Sequence, residues 1–313
     1  MASSISVCIP TYKRPEFLKE ALDSVLAQTL QPIEIIIGDD SNDDLTEKLV
    51  VDIKKSCEIP IFYTRHSPSL GQAENINFLY ENSKGDKLVL LHDDDLLLPN
   101  ALEDLNSCWN LHPDLVAAYG KQYIISEDGD VDMEASTGLN QMFFRTDKQE
   151  GIQTSSLEAA ILHQFPSDCY MVLASAAKSI NYRSHQEVGT ACDFDFSFRL
   201  SLKYSNFFFL NKYTAKYRLS EASVSKSSDD DAAAQSFYQI LNTDVPKEIA
   251  WAKDYELNRS APIAIKQLTN LGRREEALDI YFSKYHPLTS RISLGGVRRL
   301  LKLFLPQAIG KLI

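Results

Sequence analysis

The chain has 313 residues, 44% hydrophobic and 24% charged, which is ordinary for a globular protein of one large domain or two. Its net charge of −11 argues against nucleic acid as a partner. The five scattered cysteines form no CxxC pair, and no stretch resembles a signal peptide or a membrane span, so we expect reduced thiols in the cytoplasm.

Strand and helix patterns alternate over the first 115 residues. The predicted strands are Ile5–Ile9, Ile33–Ile37, Ile61–Thr64 and Leu88–Leu91, and the predicted helices are Pro15–Thr29, Leu45–Lys55, Gln72–Asn82 and Ala101–His112. Short apolar runs separated by segments of helical period predict an α/β fold, with a mainly parallel sheet and helices on both faces.

Beyond Leu115 this alternation changes. The pattern predicts a strand over 116–125, a polar mobile loop or hairpin over 127–150, helices over 156–163 and 193–204, and a buried strand around Phe207–Phe209. A polar linker over 225–231 precedes helical segments, with a helical hairpin at 261–271 and 274–285. We therefore expect three parts, 1–115, 116–225 and a helical C-terminal region over 226–313.

Acidic residues follow two of the predicted strands directly. Asp93–Asp95 follow Leu88–Leu91, and Asp39–Asp40 follow Ile33–Ile37. In a doubly wound sheet both groups lie at one edge, together with Pro10–Tyr12, which ends the first strand. Carboxylates, hydroxyls and an aromatic ring at one edge suit a nucleoside diphosphate with a hard divalent ion such as Mg²⁺. The bland alternative is a solvated acidic loop or a helix N-terminus, where Asp is favourable.

The order and spacing of several short motifs resemble family 2 glycosyltransferases. They are Val7-Cys-Ile-Pro-Thr-Tyr-Lys-Arg14, Ser24-Val-Leu-Ala-Gln-Thr29, Glu34-Ile-Ile-Ile-Gly-Asp-Asp-Ser41, Gly71 with Asn75, Gly85, and His92-Asp-Asp-Asp95 with Pro99; further matches occur at 193–200 and 217–225. The resemblance implies the GT-A fold, with a nucleotide-sugar-binding half over 1–115, an acceptor-binding and catalytic half over 116–225, and the helical region after it.

The resemblance also implies roles for particular residues. The implied nucleotide-binding residues are Pro10, Thr11, Tyr12, Arg14, Asp39, Asp40, Asn75 and Asp93. The metal ligands would be Asp94 and Asp95, with Asp93 able to substitute, because the first acid of the family's aspartate-x-aspartate motif is replaced here by His92. Two more departures are Glu74, where the family usually has an arginine, and Ser220, where it usually has a histidine.

The acid at the start of a predicted helix would be the general base. By resemblance this is Asp193, with Asp195 as the fallback, and a carboxylate there can take the proton of an attacking acceptor hydroxyl. The alternative is a helix-terminal acid that favours the dipole. Arg218 either contacts phosphate or is a structural ion-pair partner.

The resemblance implies an inverting, metal-dependent enzyme of the bacterial polysaccharide-assembly type, with Mg²⁺ or Mn²⁺ as the metal. It would move a hexosyl or N-acetylhexosaminyl group from a nucleotide sugar, with UDP favoured, to a saccharide or lipid-linked saccharide. Two other functions remain open. A sugar nucleotidyltransferase is one, although 10–15 lacks the glycines of such enzymes, and a non-catalytic nucleotide-sugar-binding or scaffold protein is the other.

The C-terminal tail has a basic and an apolar side. Over 297–305 a helix would place Arg298, Arg299 and Lys302 opposite Val297, Leu300, Leu301, Phe304 and Leu305, in a stretch without acids. Such a helix suits peripheral contact with the anionic inner face of the plasma membrane. The alternative is that its apolar side packs on the body of the protein.

Overall fold

The structure, a computed structural model, describes residues 4–219 and 230–304. Over these residues the chain forms two compact units, one of 4–184 and 196–219, the other of 185–195 and 230–304. Within the described ranges, every helix is too short or too polar to cross a bilayer. The expected α/β fold followed by a helical region is confirmed.

The first unit is built on one ten-stranded sheet. Its strands are β1 (Ile5–Thr11), β2 (Glu34–Asp39), β3 (Ile61–Arg65), β4 (Lys87–Leu90), β5 (Leu96–Leu97), β6 (Ala117–Ile125), β7 (Val131–Asp132), β8 (Gly151–Ile152), β9 (Met171–Leu173) and β10 (Phe207–Arg218). The order is β3-β2-β1-β4-β9-β6-β10-β5, with β7 beside β6 and β8 beside β10. The longest pairings are parallel, and antiparallel β9 joins the parallel set β3-β2-β1-β4 to the parallel pair β6-β10.

Helices cover both faces of the sheet and form most of the second unit. They are α1 (Pro15–Leu26), α2 (Leu45–Lys54), α3 (Gln72–Asn82), α4 (Ala101–Leu111), α5 (Met133–Met142), α6 (Ser156–Ile161), α7 (Ala174–Ile180), α8 (His185–Val188), α9 (Cys192–Lys203), α10 (Ala232–Leu241), α11 (Ala250–Asn270), α12 (Arg274–Phe282), α13 (Leu288–Arg291) and α14 (Leu294–Phe304). Short 3₁₀ turns occur at Asp147–Gln149 and Lys247–Ile249.

The sheet is held by an apolar core that the sequence pattern located well. Alternate residues of β1 and β2 pack against the apolar side of α1, whose Leu18 and Val25 are fully buried. Burial of such side chains is the main stabilising contribution of this layer. At the start of β4 the backbone passes so close to β1 that a Cβ on Gly85 would lie 2.6 Å from the Ser6 backbone nitrogen.

The segment 127–150, expected to be a mobile loop or hairpin, begins as a hairpin, since β7 pairs antiparallel with β6, but it continues into α5, which the sequence did not predict. The helix is capped by Asp132, whose carboxylate accepts from the Ala135 N–H at 2.8 Å. Its buried side is polar: Ser136 accepts from the Ile124 N–H, and Asn140 donates to the Gln122 carbonyl of β6. A helix that buries hydroxyl and amide groups has no apolar period, which is why the sequence pattern missed it.

In the second unit the predicted helical hairpin is present but longer than expected. α11 begins at Ala250 and continues through Pro262, whereas the sequence suggested a start at 261. Residues 225–229 of the expected linker lie outside the described ranges. Asp231, the end of that linker, is buried and accepts from the Thr190 N–H at 2.9 Å, so this end is anchored to the fold.

Candidate active site

The ends of β1, β2 and β4 bring three loops together at one edge of the sheet. Thr11 pairs with Asp39 at the end of β1 and β2, and the Thr11 carbonyl accepts from the Asp40 N–H at 3.0 Å. The next residues of the β1–α1 loop are tied as well, since the Lys13 N–H donates to Ser41 Oγ at 2.7 Å. Parallel strands cause this convergence, because their carboxyl ends lie at the same edge.

Asp93 joins the acidic segment after β4 to the β1–α1 loop. Its Oδ2 accepts from Thr11 Oγ1 at 2.7 Å and from the Tyr12 N–H at 3.3 Å. The side chain is almost fully buried, and burial, followed by the charge of Asp94, raises the pKa of Asp93 to about 6. This carboxyl group therefore fixes the loop that carries Tyr12.

Asp94 is the more accessible neighbour. Its side chain is 16% exposed, and its Oδ2 accepts from Arg14 Nη1 at 2.7 Å. The same nitrogen lies 3.5 Å from Asp93 Oδ1. Asp94 thus presents a charged carboxylate at the edge of the sheet, with one arginine beside it.

Asp95 points inward. Its Oδ1 accepts from the Arg218 N–H at 2.7 Å, and its Oδ2 has no hydrogen-bond donor in the described part of the chain. Burial, followed by the nearby charge of Asp168, raises the pKa of Asp95 well above its usual range. Buried carboxylates held this close are stabilised by a shared proton or by a cation.

Asp168, just before β9, completes a cluster that the sequence did not indicate. Ligand atoms of His92, Asp95 and Asp168 lie within 4.8 Å of one another, a group able to hold a metal ion. Asp168 is fully buried and its Oδ2 accepts from the His92 N–H at 3.1 Å. No motif surrounds Asp168, and β9 itself was not predicted, so the sequence carried no signal for it.

The two acids at the end of β2 mainly accept hydrogen bonds from other groups of the protein. Asp39 accepts from the Tyr63 hydroxyl and the Ser41 N–H, at 2.7 and 2.8 Å. Burial, followed by the hydrogen bond to Asp39, raises the pKa of Tyr63. Asp40 accepts from the N–H groups of Leu70 and Gly71 at 3.0 and 2.8 Å. These contacts shape the edge loops.

Asn75 on α3 packs directly over β2. Its Nδ2 donates to the Gly38 carbonyl at 2.8 Å, and its Oδ1 lies 3.2 Å from His66 Nε2. A Cβ on Gly38 would lie only 1.9 Å from Asn75 Oδ1, so the glycine is required for this contact. Glu74, beside Asn75, is exposed in the first turn of the same helix.

Tyr12 supplies the exposed aromatic surface of the site. Its ring is 53% exposed, and the ammonium of Lys13 lies 4.9 Å from the ring centroid. The first strand continues through Pro10 to Thr11, whereas the sequence predicted that it ends at Ile9. A tyrosine ring at this edge can stack on a nucleobase.

Arg218 forms an ion pair, the second of the two contacts considered for it. Its side chain is fully buried, and its Nη2 donates to Glu20 Oε2 at 2.6 Å. Its Nε donates to the Asp94 carbonyl at 2.8 Å, and the guanidinium lies 4.7 Å from the Phe17 ring centroid. Arg218 therefore holds the acidic segment 93–95 from the interior of the protein, and it has no exposed surface that a phosphate could contact.

The candidate bases lie in the first turn of α9, within the second unit. Asp193 is partly exposed, whereas Asp195 is fully buried and accepts from Gln239 Nε2. Asp193 therefore offers the more accessible carboxylate of the two. Ser220, the third departure from the family pattern, lies outside the described residues.

The mainly parallel sheet with helices on both faces is the GT-A fold of the structural neighbours. Residues 6–160 match the family model described as glycosyl transferase family 2. This match confirms a family 2 glycosyltransferase domain over that part of the chain, as its motifs suggested.

Three similar proteins illustrate the match. The GalNAc(5)-diNAcBac-PP-undecaprenol beta-1,3-glucosyltransferase of Campylobacter jejuni is 31% identical over 32% of this chain and 33% of its own length. S. aureus TarS 1–349 in complex with UDP superposes with a TM-score of 0.63 at 18% identity, over 95% of this chain and 88% of that chain. The mannosyltransferase PcManGT of Pyrobaculum calidifontis, in complex with GDP-Man and Mn²⁺, gives 0.61 at 14% identity, over 98% and 88%. The chain spans 18% to 56% of the length of the first curated relatives that it matches.

Proposed function

We propose that this protein is an inverting glycosyltransferase that moves a hexosyl or N-acetylhexosaminyl group from a UDP-sugar to a saccharide or lipid-linked saccharide. The observation that carries the proposal is the clamp between Asp93 and the β1–α1 loop, which holds exposed Tyr12 in the same loop as Arg14, the partner of the partly exposed Asp94 carboxylate. An exposed ring and a partly exposed carboxylate at one edge of the sheet suit a nucleoside diphosphate that arrives with a cation. The UDP bound by TarS supports the choice of nucleotide.

The donor set at the strand end fits a divalent cation. Asp94 is charged and accessible, and the inward Oδ2 of Asp95 has no hydrogen-bond donor in the described ranges. Oxygen ligands of this kind suit Mg²⁺ or Mn²⁺, and the Mn²⁺ of PcManGT supports the assignment. Asp94 and Asp95 would hold the ion. When bound, it supplies Lewis-acid stabilisation of the leaving diphosphate.

Asp193 is the proposed general base. The acceptor hydroxyl oxygen forms a bond to the anomeric carbon while the bond from that carbon to the diphosphate breaks. The hydroxyl proton passes to the Asp193 carboxylate, and the nucleoside diphosphate leaves with the bonding electrons. A single displacement of this kind inverts the anomeric configuration and needs no covalent intermediate.

The remaining groups of the site act by positioning. Thr11 and the Tyr12 N–H hold Asp93, and Arg218 holds Asp94 and Asp95 through its Nε and its backbone N–H. These groups keep the carboxylates in place before a donor arrives, which reduces the cost of organising the site during the reaction.

We also propose that α14 places the enzyme on the anionic inner face of the plasma membrane. Gly296 and Leu303 are its buried residues, whereas a stripe at helical spacing stays exposed: Leu294, Val297, Leu301 and Phe304. Arg298 and Lys302 flank this stripe in a chain of net charge −11. An apolar stripe edged by cations fits an anionic bilayer, the surface on which a lipid-linked acceptor would be found.

The test is a panel of nucleotide sugars with Mn²⁺ or Mg²⁺, read first by thermal unfolding. A bound donor must raise Tm, since a ligand of the native state stabilises it. The donor that does so is then incubated with lipid-linked saccharide, and release of the nucleoside diphosphate is followed. We expect a UDP-sugar to stabilise the protein and to be consumed only with the cation.

Other outcomes would change the assignment. Donor binding without transfer or slow hydrolysis would favour a non-catalytic nucleotide-sugar-binding protein. Release of pyrophosphate from a nucleoside triphosphate and a sugar phosphate would favour a nucleotidyltransferase. If no nucleotide sugar raises Tm with either cation, the proposal is contradicted.

A further inference from the structure

Arg14 occupies Asp94, one of the two carboxylates that the proposed function gives to the cation. Its Nη1 lies 2.7 Å from Asp94 Oδ2 and 3.5 Å from Asp93 Oδ1. A charge-assisted contact of 2.7 Å is a strong one, and here both side chains are less than a quarter exposed.

The position of Arg14 is built into the fold. The residue immediately precedes α1, with Pro15 as the first helical residue, and its carbonyl accepts from the Leu18 N–H at 2.9 Å. Asp93 holds the same loop two and three residues earlier, through the Tyr12 N–H and Thr11 Oγ1. The backbone around Arg14 is therefore fixed, while its long side chain remains partly exposed and can turn.

A guanidinium and a divalent cation at the same carboxylate repel each other. Because the site is partly buried, solvent screens this repulsion less than it would at the surface. A diphosphate that enters with the cation removes the conflict, since its negative charges can accept the guanidinium as well as the ion. The two positive groups are then compatible only when the donor is present.

We infer that Arg14 is a positioning residue that neutralises Asp94 before donor binding and turns to the diphosphate when cation and donor enter together. The inference rests on the proposed function and adds a rule to it. The cation binds weakly alone and tightly with the nucleotide, and Arg14 is the origin of that coupling.

The test measures Mn²⁺ affinity, not transfer. Mn²⁺ is titrated into the full chain with and without saturating UDP, and free Mn²⁺ is read by electron paramagnetic resonance. The proteins are the wild type, Arg14→Gln, Arg14→Lys and the control Lys13→Gln. The control removes the same charge from the adjacent residue, whose ammonium lies over the Tyr12 ring.

We expect UDP to raise the Mn²⁺ affinity of the wild type about tenfold or more, within the usual range of coupling between two ligands. Arg14→Gln should bind Mn²⁺ alone about tenfold more tightly than the wild type and lose most of the effect of UDP. Arg14→Lys, which keeps the charge, and Lys13→Gln should both retain coupling close to that of the wild type. Thermal unfolding verifies that each variant is folded.

Two results would overturn the inference, and they are distinguishable. If Arg14→Gln binds Mn²⁺ alone no better than Lys13→Gln and keeps the wild-type coupling, Arg14 does not compete with the cation, and the transferase proposal is unaffected. If the wild type binds no Mn²⁺ even with UDP, the metal-dependent reaction fails together with the inference.

Discussion

The sheet edge of the first unit where β1, β2 and β4 end, here called the donor edge, differs from α14 of the second unit. The two regions differ in how far contacts within the protein satisfy their side chains. At the donor edge, acidic side chains are held by the protein itself, as Asp39 is by Tyr63 and Asp40 by the Gly71 N–H. On α14, by contrast, Leu294 and Phe304 are 88% and 68% exposed. One region is organised before any ligand arrives, while the other exposes apolar side chains that have no cover among the described residues.

This difference separates two ways of making a site. A buried network of hydrogen bonds fixes geometry, so single substitutions there should have large and specific effects on chemistry. An exposed apolar stripe acts through area and charge, so its substitutions should have small and additive effects. The expected outcomes below test this contrast.

The largest effect should come from Asp94. Asp94→Asn removes the accessible carboxylate proposed to hold the cation. We expect transfer to fall on the order of 1,000-fold, the scale of losing one group that stabilises developing charge, with the fold retained. The rate of nucleoside diphosphate release measures this, with Asp23→Asn on α1 as an exposed control. Full activity of Asp94→Asn, or of the wild type in EDTA, would sink the metal assignment.

The next effect should come from the candidate base in the second unit. Asp193→Asn should lower transfer about 100-fold or more, as for loss of a general base, while UDP–Mn²⁺ affinity stays close to that of the wild type. Steady-state kinetics and calorimetry separate the two quantities. A loss of UDP binding would indicate a structural role for Asp193, and a more damaging Asp195→Asn would move the base by two positions.

Stability should respond to the buried arginine at the donor edge. Arg218→Met removes a fully buried partner of Glu20 and of the Asp94 carbonyl, so we expect a loss of about 3 kcal/mol in the free energy of unfolding. Lys212 lies on the same strand as Arg218 and forms an exposed ion pair with Asp104 of α4. Lys212→Met should lower the free energy of unfolding by less than about 1 kcal/mol. Equal losses in urea denaturation would contradict the structural role of Arg218.

The smallest effects should appear on α14. Lys302→Gln and Arg298→Gln should each weaken binding to vesicles of anionic lipid about fivefold, since one surface cation contributes about 1 kcal/mol. Added salt should reduce the difference. Lys266→Gln, an exposed residue of α11, is the control. If vesicle binding is unaffected by Leu301→Asp as well, α14 does not contact the bilayer.

The sequence predicted the donor edge well because the residues that form it stand in short, recognisable motifs. A short buried strand followed at once by acids marks a strand end, and β1, β2 and β4 share that edge, so three separate motifs could be joined without a structure. Individual contacts were less accessible. The pairing of Asp93 with Thr11, and of Asp94 with Arg14, depends on side-chain directions that no spacing rule gives.

Elsewhere the pattern failed for identifiable reasons. Helix α5 buries Ser136 and Asn140, so it lacks the apolar period by which helices are recognised. Asp168 meets His92 only because β9 runs antiparallel beside β4, a long-range pairing that is invisible in the chain. On α14 the sequence showed two faces, but it did not show that Leu303 is buried while Leu301 and Phe304 are exposed.

The contact between Gly38 and Asn75 limits which substitutions these two positions can accept during evolution. With Asn75 in place, any side chain at position 38 would meet its amide oxygen at 1.9 Å, so selection on the two positions is linked. Alanine at position 38 would force the Asn75 amide to shift, and the hydrogen bond to the Gly38 carbonyl would be lost with it. Functional variants of this chain should therefore keep both residues or change them together.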